Sequence, residues 1–290
     1  MLVYFKAKNS QKIYLYRMIW SGNLRKMRTE SGSVVKYFWS GKDVLDDLPE
    51  FEISSWLGKN IKWRFEGLVH CVVTGVAMER AFRMGMSRDA FFKSPLSCPS
   101  IINPELSTIH TGVALRDRDF EEMYHNVPHV VYISRTDKLK VGVTGQGREQ
   151  FRWNDQGAVE GIVICETPYR QLAGEIEVFL KSHFNDKTFW RNMLKDIERN
   201  PDELTQMKEE CFDLLSPGYE PFFSDNDKVC EIIYPILQMP SKVSSIKLEK
   251  TPVGEGVLVG IKGQYMIFEN GGVLNVRAHE GCRVVLEVED

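Results

Sequence analysis

The sequence predicts an α+β fold, and three observations lead there. At 290 residues the chain is long enough to bury a full apolar core without covalent staples. Short runs that alternate apolar and polar residues, punctuated by Gly and Ser, occupy both ends of the chain, as antiparallel strands do. Between them the apolar period switches from two residues to the 3.6 of amphipathic helices.

Residues 1–17 read as an N-terminal extension, because Met18 stands directly before the first well-patterned segment. The region 18–70 contains alternating stretches such as SVVKYFW (33–39) and NIKWRFEG (60–67), which predict an N-terminal antiparallel β-meander. Residues 71–128 are irregular and rich in Met, Phe, Pro and Arg, with a turn or helix start at Asn103 and Pro104.

The module 129–199 opens with a strand at 130–134, a polar turn at 135–138 and a returning strand at 139–143. Glycines 145 and 147 break that strand, so that a helix starting near Arg148 carries Arg152 and Trp153. A further helix over 169–184 places Leu172, Ile176, Phe179, Leu180 and His183 on one face. Glu175 and Glu177 lie to either side of that face, and periodicity allows either to point into a cleft. Residues 200–240 read as a helical connector stopped at Pro217 and Gly218. Residues 241–290 return to short strands across turns such as Asn270 and Gly271, spaced as in a small β-barrel of SH3-like or OB-like type.

Bulk properties narrow the class. The formal charge of −3 excludes a uniformly basic nucleic-acid coat, while leaving room for local basic faces. The six cysteines are widely spaced with no CxxC pair, which predicts reduced thiols and a cytoplasmic location rather than a disulfide scaffold. No apolar run approaches the roughly 18 residues of a membrane-crossing helix, and the opening segment is too polar for a signal peptide.

The order tyrosine strand, glycine strand, helical arginine and later helical glutamate resembles the GIY-YIG nuclease superfamily. Val130, Val131 and Tyr132 stand at the GIY position, Lys140, Val141 and Gly142 at the YIG position, Arg152 at the helical arginine and Glu177 at the metal-binding glutamate. The second tyrosine of the pattern is replaced by Lys140, and the hairpin between the motifs is shorter than is usual in those nucleases. More specifically, PHVVYI (128–133), KVGVT (140–144), RWNDQGA (152–158), DKTFW (186–190) and GIKGQY (260–265) resemble the uncharacterised bacterial family called domain of unknown function 2797, from about Ser21 to the end.

The superfamily resemblance implies metal-dependent cleavage of a phosphodiester in DNA or RNA. Glu177 would hold Mg²⁺ or Mn²⁺. Arg152 would neutralise charge on the phosphate, and Tyr132 would act as base or orient water. Lys140 would contact phosphate without replacing a phenol in kind. Gly142, Trp153, Asn154, Asp155 and Gln156 would line the substrate cleft. The same residues also fit structural roles: Tyr132 as a packed aromatic, Arg152 stacked on Trp153 or paired with Asp155, Glu177 on a solvated face, and 154–156 as residues that bend the chain before Gly157.

Relatives within that resemblance carry a cysteine-rich, zinc-ribbon-like segment. This chain keeps Cys71 and Cys98 there, with Thr74, Ser87, Ala90 and Ser107 where further cysteines are expected, so a structural zinc is not expected. His70 and His110 do not follow a finger spacing. Arg80, Arg83, Arg88 and Lys93, interleaved with Phe82, Phe91 and Phe92, suit phosphate contact with base stacking and equally a solvated basic face. Three functional classes stay open: a metal-dependent nuclease, a nucleic-acid binder that no longer cuts, and an adaptor or small-molecule binder unrelated to nucleic acid.

Overall fold

The computed structural model describes residues 3–8, 14–183 and 189–289, with side chains from residue 18 onward. Residues 186–188 of the DKTFW segment and residue 184 of the expected long helix lie outside the described residues. The chain divides into two compact units, the first formed by residues 1–91 and 234–290 and the second by 92–233.

The first unit opens with strands β1 (Val3–Lys8), β2 (Tyr14–Leu24), β3 (Arg28–Glu30), β4 (Lys36–Trp39), β5 (Gly41–Asp43), β6 (Asp46–Asp47), β7 (Phe51–Glu52), β8 (Asn60–His70) and β9 (Ala77–Met78). Helix α1 (Arg88–Lys93) spans the division. The second unit then contributes α2 (Pro99–Ile102), α3 (Arg118–Tyr124), β10 (His129–Arg135), β11 (Leu139–Gly145), α4 (Glu149–Gln156), β12 (Glu160–Thr167), α5 (Arg170–Lys181), α6 (Trp190–Met193), α7 (Pro201–Leu214) and β13 (Cys230–Glu231). The chain closes in the first unit with β14 (Ser244–Ile246), β15 (Val253–Lys262), β16 (Tyr265–Phe268), β17 (Gly272–Asn275) and β18 (Cys282–Glu289).

Among the described residues the first unit holds an eleven-stranded sheet in the order β14-β17-β16-β15-β8-β18-β2-β5-β6, with β1 added to β2 and β9 to β8. A separate three-stranded sheet pairs β3, β4 and β7. The C-terminal strands therefore form no closed barrel of their own, contrary to the expectation from their spacing. Their alternation was read correctly, with β18 alternating buried and half-buried residues along its whole length. What spacing does not carry is the partner: β18 pairs Leu286 with Trp20 of β2 on one side and with Trp63 of β8 on the other, so the strands extend an open sheet.

Large aromatics lock this sheet by lying across glycines. A Cβ on Gly254 would meet the ring of its cross-strand partner Trp63, and one on Gly41 the ring of Trp20. Trp20 in turn meets Trp39 edge-on at 5.5 Å. Glycine in a strand interior normally weakens it, and here it admits a ring that buries far more apolar area than a Cβ would.

The second unit is organised on an antiparallel sheet in the order β11-β10-β12-β13. Residues 129–134 of β10 are all buried, the pattern of a central strand covered on both faces. Val131, Ile133, Val141, Val143, Ile162 and Ile164 pack on Leu172, Ala173, Ile176 and Leu180 of α5 and on Leu204 and Cys211 of α7. Two ion pairs through Arg135, one to buried Glu160 and one to half-buried Glu203, tie α7 to this sheet: Arg135 Nε donates to Glu160 at 2.6 Å and Arg135 Nη2 to Glu203 at 2.7 Å. The backbone N–H of Asn200, the N-cap of α7, also donates to Glu160 at 3.1 Å. The helix expected from residue 200 with a stop at Pro217 and Gly218 ends at Leu214. Beyond it the chain forms a short 3₁₀ turn at Glu220–Phe222 and the strand β13, because Pro217 and Pro221 cannot continue an α-helix.

Candidate functional site

The hairpin β10–β11 sets Tyr132 directly opposite Gly142 and Ser134 opposite Lys140. A Cβ on Gly142 would stand 2.5 Å from Tyr132 Oη and 2.6 Å from Cζ. Glycine there lets the phenol lie across β11, and this is the physical reason for that residue in the YIG-like position. On the next element, α4 brings Arg152, Trp153 and Gln156 over the same tyrosine. Trp153 meets the Tyr132 ring edge-on at 5.8 Å, and its indole covers Gly161 of β12, where a Cβ would lie 2.6 Å from the ring. Helix α4 stops at Gly157, whose left-handed φ of +71° suits glycine.

Two polar side chains meet at the phenol. Arg152 Nε donates to Tyr132 Oη at 3.4 Å. With the Gln156 amide oriented to satisfy its neighbours, its oxygen accepts from Arg152 Nε at 3.1 Å, from Arg152 Nη2 at 3.3 Å and from Tyr132 Oη at 3.1 Å. Tyr132 is fully buried, and burial raises its pKa further than Arg152 and Gln156 lower it, with Glu177 adding to the rise. At neutral pH Tyr132 is therefore a neutral hydroxyl rather than a phenolate. Burial works against the charge of Arg152, but Tyr132, Asp155 and Glu177 outweigh it, and its pKa is raised. The guanidinium is charged at every working pH.

Helix α5 supplies the remaining groups. Of the two glutamates that periodicity left open, Glu177 is the buried one, and Lys181 Nζ stands 3.1 Å from its Oε1 one turn along the helix. Glu175 is half-buried and accepts from Gln171 Nε2 at 2.6 Å. Arg170, the first residue of α5, went unnoticed in the sequence. Its Nε donates to the Ser100 carbonyl at 2.7 Å and its Nη2 to the Ile101 carbonyl at 3.1 Å, while Nη1 lies 3.3 Å from His129 Nε2. Burial lowers the Arg170 pKa to about 10, with Glu177 opposing and Arg152 assisting, so it too remains charged at neutral pH. Pairs between residues about seventy positions apart leave no local pattern in the sequence.

Of the residues singled out in the sequence, Tyr132, Gly142, Arg152, Trp153 and Gln156 are brought together, and Glu177 acts electrostatically on Tyr132 and Arg152. Asp155 is half-buried and close enough to Arg152 to favour its charge; Asn154 is buried on α4. Lys140 is half-buried on β11, on the same strand face as Gly142.

Among the described residues no group of three or more His, Cys, Asp or Glu side chains is placed to hold a metal ion. Glu177 suits Mg²⁺ or Mn²⁺ only in the manner of a single hard carboxylate whose remaining positions are completed by water and phosphate oxygen. The two thiols of the cysteine-poor segment are each engaged within their own unit. Cys71 Sγ accepts from the Ser87 N–H at 3.3 Å and packs with Met86, Ala90 and Phe91. Burial disfavours its thiolate, but the Thr74 hydroxyl and the N–H groups of Ser87, Thr74 and Val73 outweigh that and bring the pKa to about 7. Cys98 Sγ accepts from Ser100 Oγ at 3.3 Å.

Fold and site together define an α+β protein whose second unit carries a hairpin-and-helix cluster of tyrosine, arginine and glutamine beside a buried glutamate. The chain belongs to the family described as protein of unknown function (DUF2797), which matches residues 58–284. No curated protein and no solved structure is significantly similar to the chain. Among the described residues no helix is long and apolar enough to cross a membrane.

Proposed function

We propose that the second unit is a GIY-YIG-like module that cleaves a phosphodiester of DNA or RNA with the help of Mg²⁺ or Mn²⁺. The observation that carries this reading is the convergence of Tyr132, Arg152 and Gln156, drawn from β10 and α4, under the influence of Glu177 from α5. In that role the Glu177 carboxylate would hold the metal, which supplies Lewis-acid activation when bound. Arg152 would neutralise the charge that builds on the phosphate oxygens, a contribution that is large where the guanidinium is already oriented. Gln156 fixes both the phenol and the guanidinium, and Tyr132 would orient a water through its hydroxyl, since burial keeps it protonated. Lys140 and Trp153 complete the proposed contacts with substrate.

The segment over 71–128 is read as a degenerate zinc-ribbon-like region, in which the Cys71 thiol accepts from the Ser87 N–H. The six free cysteines, five of them buried, suit a reducing cytoplasm.

A second reading is favoured by two specific observations. Tyr132 is 0% exposed and Glu177 is held by Lys181, an arrangement that also suits a nucleic-acid binder that no longer cuts. Mixed DNA and RNA substrates incubated with Mg²⁺ or Mn²⁺, using the native chain and a folded Glu177→Ala variant, separate the two. Metal-dependent cutting that disappears in the variant is the expected result. Binding without cutting in both proteins would replace the first reading by the second, and neither binding nor cutting would remove both.

A further inference from the structure

Glu177 is a buried carboxylate in contact with one cation of its own chain and electrostatically coupled to two more. Lys181 Nζ lies 3.1 Å from Oε1, and Arg152 and Arg170 both feel the Glu177 charge. Asp155 and Glu105 act on those two arginines as well, so the guanidinium charges are partly balanced without Glu177. The Lys181 ammonium is in direct contact with the Glu177 oxygen. The two side chains differ in access: that of Lys181 is 32% exposed and that of Glu177 only 8%. A flexible four-carbon stem at the surface can swing its charge into water while the carboxylate stays in place.

We infer that Lys181 is the resident cation of Glu177: its ammonium occupies the position beside the carboxylate that a divalent metal would take, so that metal and Lys181 compete for the same oxygen. This rests on the reading of Glu177 as the metal-holding residue. Its consequence is a site in which a divalent ion binds weakly to the protein alone. A doubly charged ion approaching Glu177 is repelled by the Lys181 ammonium in contact with it and by the charges of Arg152 and Arg170, which interact with the same carboxylate.

The test measures Mn²⁺ binding directly, through loss of the free-ion electron paramagnetic resonance signal, with the full chain and no nucleic acid. Lys181→Met keeps the stem and the helix propensity while removing the charge, and far-ultraviolet circular dichroism checks that each variant is folded. The expected result is a Kd for Mn²⁺ roughly tenfold or more tighter in Lys181→Met than in the native chain. That gain should vanish when Glu177→Gln is added. Equal affinity in the native chain and Lys181→Met, lost in both on Glu177→Gln, would overturn the competition and leave the metal-holding role intact. Mn²⁺ binding that ignores Glu177 in every variant would overturn the metal-holding role and the inference with it.

Discussion

Tyr132 and Gly142 form a pair in which each residue explains the other. The phenol lies where a Cβ on residue 142 would be, 2.5 Å from Oη, so Gly142→Ala must push the ring away from Arg152 and Gln156. Overpacking of this kind costs about 1–3 kcal/mol, and chemical denaturation of the variant should report a loss in that range. Tyr132→Phe keeps the ring and removes the hydroxyl that Arg152 and Gln156 share. It should cost about 1 kcal/mol, with its effect on nucleic-acid chemistry larger than its effect on stability. A variant as stable as the native chain with unchanged chemistry would remove Tyr132 from the site. Tyr132 and Gly142 were singled out in the sequence by their places in the GIY-like and YIG-like strands of one hairpin, whereas their facing each other is a matter of register that the structure supplies. Gln156 was named among the cleft residues, but nothing local says that its amide clamps Tyr132 and Arg152.

At the scale of the element, α5 shows a conflict between propensity and packing. Gly174 sits in mid-helix, where alanine is normally favoured by up to about 1 kcal/mol. A Cβ there would meet the backbone of the 3₁₀ turn Pro104–Leu106, at 2.5 Å from Pro104 C and closer still to Glu105 N. Backbone cannot rotate aside as a side chain does. Gly174→Ala is therefore expected to destabilise the second unit despite improving intrinsic helicity, and a rise in melting temperature would contradict the packing account. The amphipathic face of α5 was readable from its period. Its glycine gave no sign of the turn it accommodates, because that contact joins segments some seventy residues apart in sequence.

The whole chain divides unequally between what sequence and structure each reveal. The second unit is one continuous stretch, 92–233, whereas the first needs both 1–91 and 234–290 to complete its sheet. Every strand from β15 to β18 was visible in the sequence as alternation. Closure into a barrel was not a property of those strands, since β8 and β2 flank β18 and are supplied by the other end of the chain. A fragment of 92–233 should accordingly fold cooperatively, while 1–91 alone should not. Acidity provides a second test of the second unit. His125 and His129 are buried, and burial holds both at a pKa of about 4, with Arg170 adding to the depression. The unfolded chain takes up these protons near the ordinary pKa of 6.5, which the folded unit resists. Stability is thus fully present above about pH 6.5 and falls as pH drops towards 4, by a total on the order of a few kcal/mol. Thermal melts of the 92–233 fragment across that interval should show the loss, and a flat profile would contradict it.

Under the proposed function, the cluster around Arg152 would receive a phosphodiester. The most direct test is the affinity of the native chain and of Arg152→Met for single- and double-stranded DNA and RNA, followed by fluorescence anisotropy across a salt series. A guanidinium that contacts phosphate should, when removed, weaken binding across sequences alike and reduce the slope of log affinity against log salt by about 1. Binding with identical affinity and slope in the two proteins, or no binding by the native chain at low salt, would contradict a phosphate-contacting role for Arg152.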